Sequence, residues 1–139
     1  MIAYIDSSVI LRVVLDQPGR LHEWNGITKG IVSRLAEVEC LRALDRLRVA
    51  NTIAVNDLAL RREVVYRAFD SFDIVEITRT LLNRAAQPMV APLGTLDAIH
   101  LATAELWREL HEQEIVFATH DRELALAARA NGFKVIGVD

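Results

Sequence analysis

Short apolar runs and longer amphipathic stretches alternate along this chain. Residues 2–5 (Ile-Ala-Tyr-Ile) are apolar and the run stops at Asp6, which reads as a short buried strand ending in a carboxylate. Residues 7–15 follow, apolar nearly all round, with Arg12 the only charge between Val9 and Leu15. Periodicity alone leaves that run open between strand and helix. Asp6 and Ser7 as a capping start, and Asp16-Gln-Pro-Gly19 as a stop, favour helix. A helix this apolar must be covered on several sides, by the sheet, by other helices or by a partner chain.

Further along, the spacing predicts a short helix over 20–26 and a second strand over 30–33. Ser33 then caps a helix to about Val49, whose apolar side is Ala36, Cys40, Ala43, Leu44 and Leu47. Asn56 or Asp57 caps a helix over 58–69, residues 72–77 form the third strand, and Thr78 opens a helix that ends before Pro88. Two prolines and a glycine make 88–94 a loop. Thr95 caps a long helix to about His111, with Leu96, Ile99, Ala102, Leu106 and Leu110 along one stripe. A fourth strand over 114–118, a helix over 121–131 closed by Gly132, and a last strand over 133–136 complete the chain. Strands alternating with helices predict an α/β fold, a small parallel sheet of four to five strands sandwiched between helices.

Composition narrows the picture. The 139 residues are expected to form one domain over 1–139, and 52% hydrophobic with 25% charged residues argues for a globular chain. A net charge of -3 rules out bulk charge as the means of holding nucleic acid, so any basic surface must be local. The lone Cys40 makes no internal disulfide and suits a reducing compartment; between Glu39 and Leu41 it reads as a small core residue. No apolar run approaches the roughly 18 residues of a membrane span. The start lacks the basic opening and small-residue cleavage pattern of a signal peptide. The expected location is cytoplasmic, with no membrane partner.

Four acids stand where such a fold would gather them. Asp6 and Asp121 each follow a predicted strand, Asp97 lies in the first turn of a helix, and Glu39 lies early in another. Carboxylates without a matching lysine nearby in sequence suit a hard cation such as Mg²⁺ or Mn²⁺. Each acid also has an ordinary reading. Asp6 and Asp121 read as N-caps, Asp97 as a partner of the helix dipole, and Glu39 as an i,i+3 partner of Arg42. Glu37 competes with Glu39 from a different face of the same helix.

The combination carries a resemblance. Asp6-Ser-Ser, Ser33-Arg-Leu-Ala-Glu-Val-Glu39 with Leu41-Arg-Ala-Leu44, Leu96-Asp-Ala-Ile-His-Leu-Ala-Thr-Ala104 and Thr119-His-Asp121 occur in this order over nearly the whole chain. In these segments the chain resembles the PIN-domain ribonucleases, specifically the VapC-type toxins of type II toxin–antitoxin pairs. The resemblance implies a PIN-like fold and a metal-dependent endoribonuclease. Asp6, Glu39, Asp97 and Asp121 would form an acidic quartet binding Mg²⁺ or Mn²⁺. Ser8 and Thr119 would support it from behind. It further implies an RNA substrate, cut to leave a 3′-hydroxyl and a 5′-phosphate, a VapB-type antitoxin and a homodimer. His100, at i,i+3 from Asp97, reads as packing or hydrogen bonding beside the site. His120 reads as an exposed loop histidine. Arg61, Arg62 and Arg67, with Arg42, Arg46 and Arg48, are candidates for the RNA backbone, though solvated helix faces account for most of them. Trp24 and Trp107 look exposed and, with the apolar run at 9–15, are compatible with extra interfaces.

Other classes fit less well. A receiver-type module would place an aspartate after the third strand, where Glu76-Ile-Thr78 stands. No G-x-G-x-x-G follows the first strand, and Ser8 stands where an Asp-x-Asp phosphatase needs its second aspartate. The remaining alternative is a non-catalytic PIN-like module that binds RNA or protein.

Overall fold

The computed structural model describes residues 1–138; Asp139, the last residue of the expected domain, lies outside the described residues. Five strands, β1 (Ile2–Ile5), β2 (Lys29–Ser33), β3 (Asp73–Val75), β4 (Val116–Ala118) and β5 (Lys134–Ile136), form one parallel sheet in the order β3-β2-β1-β4-β5. Six helices connect them: α1 (Ser7–Val14), α2 (Arg34–Val49), α3 (Val55–Asp70), α4 (Arg79–Ala85), α5 (Thr95–His111) and α6 (Arg122–Ala130). The expected parallel α/β sandwich is therefore present, with five strands.

Strand alternation splits β1 between two cores. Ala3 and Ile5 face Val9, Ile10 and Val14 of α1, Ala36, Cys40 and Leu44 of α2, and Val65 and Phe69 of α3. Tyr4 faces the other way, with Phe117, onto Leu101, Ala104 and Trp107 of α5 and Leu124 of α6. The apolar α1 is covered from within the chain, by the sheet, α2 and α3. A third cluster, Leu81 with Ile99 and Ala102, seats α4 on α5.

The order of strands decides where a site can form. From β1 the chain steps outward to β2 and β3, then returns across the sheet to β4 and β5. The switch point lies between β1 and β4, where α/β sheets open a crevice at the carboxyl ends of the strands. Asp6 closes β1 there, its N–H donating to the Ala118 carbonyl at 3.0 Å.

Several local expectations are corrected. The residues at 20–26 form a single 3₁₀ turn, Trp24–Gly26, and the third strand shortens to three residues. Helix α3 begins at Val55 with Ala54 as its cap, so Asn56 and Asp57 lie inside its first turn, where Asp57 favours the helix dipole. Thr95 is the first residue of α5 and Gly94 the cap, with no side-chain cap bond. The predicted stripe on α5 fails at its ends: Leu96 is 50% and Leu110 79% exposed. The middle of the helix is instead buried nearly all round, from Ala98 to Ala104, between the sheet, α4 and α6. Trp107 is buried; its indole donates to Asp73 and its ring stacks on His111. Ser33, Thr78 and Asp121 do cap, accepting from Leu35, Leu81 and Leu124. Among the described residues no helix is long and apolar enough to cross a membrane.

Candidate active site

Asp6 occupies an N-cap position but does no capping. Its side chain makes no cap hydrogen bond to α1. Instead it is 4% exposed and accepts from three hydroxyls: Ser8 Oγ at 2.7 Å and Thr119 Oγ1 at 2.9 Å on Oδ2, with Ser7 Oγ at 3.4 Å on Oδ1. The two closest donors are tied down in turn. Ser8 Oγ accepts from the His120 N–H at 3.0 Å, and Thr119 Oγ1 accepts from the Asp121 N–H at 3.0 Å. These bonds lock the ends of β1 and β4 together and hold one carboxylate at the crevice.

The other acids approach from helices. Glu39 does not pair with Arg42, which binds Asp45. Its Oε1 lies 2.5 Å from His100 Nε2, and the same nitrogen is 3.6 Å from Asp6 Oδ1. Glu37 turns to Arg34 at 3.7 Å. Asp97, in the first turn of α5, is raised above the ordinary aspartate range, first by burial and then by the charges of Asp121 and Asp6, with Glu39 adding to them and His100 opposing. Asp121 is engaged as the α6 cap, accepting from the Leu124 N–H at 2.9 Å on Oδ1, so the ordinary reading holds for that oxygen.

His100 is the one ion-pair partner among the described residues that faces this group. Burial opposes its charge, but the Glu39 hydrogen bond and the charges of Asp6, Glu39 and Asp97 outweigh that, and its pKa rises above the usual histidine value. The Cys40 thiol is pushed up to about 12, by burial first and by Glu39, Asp6 and Glu37 after it. A thiol that stays protonated is no nucleophile.

His120 is not an exposed loop residue. It is half-buried, with Nδ1 2.7 Å from the Gly137 carbonyl, and its Nε2 is buried without a partner. Gly137 makes that approach feasible: φ is +99°, and a Cβ there would collide with the Thr119 carbonyl.

The profile of the PIN domain matches residues 3–130. The chain belongs to the PIN domain family. It is 28% identical over 133 residues to Ribonuclease VapC47 of Mycobacterium tuberculosis (strain CDC 1551 / Oshkosh), covering 94% of this chain and 92% of that protein. Two solved structures share the fold. The crystal structure of PAE2754 from Pyrobaculum aerophilum matches with a TM-score of 0.66 and 20% identity over 97% of this chain and 89% of that one. A toxin-antitoxin complex from Klebsiella pneumoniae matches with a TM-score of 0.66 and 17% identity over 100% and 96%.

In this PIN domain the donor set is one of hard oxygens, and that suits a divalent cation of the Mg²⁺ or Mn²⁺ type. None of Asp6, Glu39, Asp97 and Asp121 pairs with a lysine or arginine among the described residues; the ion pairs that reach this group come from His100 alone. Among the same residues no three acidic, imidazole or thiol groups already converge to metal-holding distance. The hydrogen bonds above fix the orientation of the oxygens: on hydroxyls, on His100 and on the α6 N–H.

One participant escaped the sequence reading. The Tyr4 hydroxyl lies 2.6 Å from His100 Nδ1. The strand period carried the signal, since residues 4 and 6 of an extended segment share a side.

Proposed function

We propose that this PIN domain is a divalent-metal-dependent endoribonuclease of the toxin type, neutralised by a cognate VapB-type antitoxin. The observation that carries the reading is the carboxylate group at the switch point, which among the described residues has no lysine or arginine partner and only the buried His100 beside it. On the surface, by contrast, Glu76, Glu109 and Asp45 each sit on an arginine. A carboxylate group maintained without such partners costs stability, and a cation from solution is what turns that cost into binding. The similarity to a VapC ribonuclease supports the same reading.

Asp6, Glu39, Asp97 and Asp121 would hold Mg²⁺ or Mn²⁺. Such a cation supplies Lewis-acid polarisation of a phosphodiester and lowers the pKa of water. The chain's own residues do the positioning. Ser8 and Thr119 fix the rotamer of Asp6, while the Thr119–Asp121 bond sets the start of α6. The products would be a 3′-hydroxyl and a 5′-phosphate.

RNA would be anchored by a minority of the arginines. Arg42 and Arg48 are taken by Asp45, Arg67 by Glu63, and Arg61 by the Val14 carbonyl. Arg62 lies over Tyr66, 5.8 Å from the ring centre. Of the six, Arg46, Arg61 and Arg62 have no carboxylate partner among the described residues, and Arg62 donates to the Tyr66 hydroxyl at 3.0 Å. A homodimer and a cytoplasmic location belong to the same proposal.

The test is cleavage of a structured RNA pool with Mg²⁺ or Mn²⁺, comparing the wild type with Asp6→Asn purified identically. Metal-dependent cleavage lost in a folded Asp6→Asn supports the reading. Equal cleavage by both proteins overturns it, and a pool left intact by the wild type favours the non-catalytic module.

A further inference from the structure

The hydrogen bonds behind the carboxylates continue into the core. His100 is one turn after Asp97 on α5, at 0% exposure, flanked by Ile99 and Leu101. An imidazole at such a place is costly unless both nitrogens are satisfied. Both are: Nδ1 meets the Tyr4 hydroxyl at 2.6 Å and Nε2 meets Glu39 Oε1 at 2.5 Å. Tyr4 is itself fully buried, and the two rings meet edge to face, 6.0 Å apart at 68°.

The directions of these bonds follow from the partners. Nε2 faces only carboxylate oxygens, those of Glu39 and Asp6. Ionised carboxylates accept and do not donate, so Nε2 carries a hydrogen and gives it to Glu39. Tyr4 holds the opposite nitrogen from the core side and stops the ring from turning. The result is a chain, Tyr4–His100–Glu39, with Asp6 at its edge. Glu37 has no such link, being tied outward to Arg34.

We propose that His100 is a positioning residue for the carboxylate site. Its Nε2–H, on a ring held by Tyr4, orients Glu39 before a divalent cation arrives. The inference rests on the metal-dependent reading above and adds two residues to it, neither of which touches cation or RNA. A free glutamate has several side-chain torsions to freeze on binding an ion; here the hydrogen bond freezes them in the folded protein. Partners behind metal ligands act in this way, and their loss weakens metal binding about 10–100-fold.

The experiment measures Mn²⁺ affinity of the full chain by titrating the paramagnetic signal of the free ion. Wild type, His100→Leu, His100→Gln and Tyr4→Phe are compared, each checked for folding by circular dichroism. Leucine fills the space without a donor and is expected to weaken Mn²⁺ by about 10–100-fold. Glutamine can present an amide N–H near the place of Nε2–H and is expected to recover much of that loss. Tyr4→Phe, which keeps the ring and removes only the hydroxyl, is expected to give a smaller loss. Nitrogen NMR of the wild-type imidazole should show a protonated Nε2.

Wild-type affinity in a folded His100→Leu overturns the positioning role and leaves the nuclease reading standing. A wild type that binds no Mn²⁺ overturns both. Should His100→Leu fail to fold, unchanged affinity in Tyr4→Phe, or a bare Nε2 in the NMR spectrum, overturns the proposal.

Discussion

Two groups of acids in this molecule meet opposite fates. On the outer surface Glu76 takes Arg34, Glu109 takes Arg84 at 2.7 Å, and Asp45 takes Arg48 at 2.9 Å. Hydrogen bonds from these guanidinium groups hold all three carboxyls below their ordinary range. At the carboxyl end of the sheet Asp97 moves the other way, under burial and the charges of Asp121, Asp6 and Glu39. The residue types are the same, so burial and the neighbours decide the sign. Paired acids on the surface are neutralised where they stand. The acids at the switch point have no such arginine among the described residues, and His100 alone pairs with them.

The strongest way to break this contrast is to remove a carboxylate from the second group. Asp6→Asn and Asp97→Asn are each expected to lower metal-dependent RNA cleavage by at least the ~100-fold at the top of the range for partners behind a metal. The measurement is initial rate on a fixed RNA, with the fold checked in parallel. Cleavage within a few fold of wild type would put both acids among structural groups.

Next in size is the response to metal. Wild type with Mg²⁺ or Mn²⁺ at about 100 times the Kd should gain about 2.7 kcal/mol, read as a rise of several degrees in Tm. Asp97→Asn should lose most of that rise, whereas Glu76→Gln should keep it. An equal shift in all three would place the cation somewhere other than the crevice.

A smaller effect sharpens the sign. With Asp97 raised in the folded state, the native protein binds more protons than the unfolded chain above the ordinary aspartate range. Stability then falls as pH rises through that window. Asp97→Asn removes the penalty, so metal-free Asp97→Asn is expected to match or exceed the wild-type Tm at neutral pH. A large loss of Tm would make Asp97 the partner of a buried cation.

The smallest change is on the surface. Glu76 is lowered in the folded state, so its contribution is present above the ordinary glutamate range and is lost as pH falls through the folded value. Glu76→Gln is expected to reduce Tm slightly at neutral pH, with the difference shrinking in high salt and in acid. A Tm loss that persists in high salt would show that the pair is not an ordinary solvated one.

Much of this was legible in order along the chain. The apolar run at 2–5, the stop at Asp6, the caps at Ser33, Thr78 and Asp121, and the loop at 88–94 are local features, and local sterics and hydrogen bonding specify them. The boundaries of α3 and α5 were less so. Asn56, Asp57 and Thr95 satisfy a capping rule as well as a first-turn rule, and the difference lies in one backbone torsion. Burial on α5 was misjudged at Leu96, Trp107 and Leu110 because a one-face pattern assumes one neighbour, and this helix has the sheet, α4 and α6 around its middle.

By itself, then, the sequence determined an alternating α/β chain with acids at the ends of its strands and helices, because periodicity and capping act within a few residues. Only the tertiary structure decided what those acids face. Glu39 and His100 are 61 residues apart, Tyr4 and His100 are 96, and Asp6 and Thr119 are 113. Contacts at such separations are set by strand order and helix packing, which bring β1, α2, α5 and the β4–α6 turn to one crevice. No spacing along the chain encodes that Asp6 would be held by Thr119 and not by its own helix, or that Glu39 would turn to a buried imidazole and Glu37 away from it.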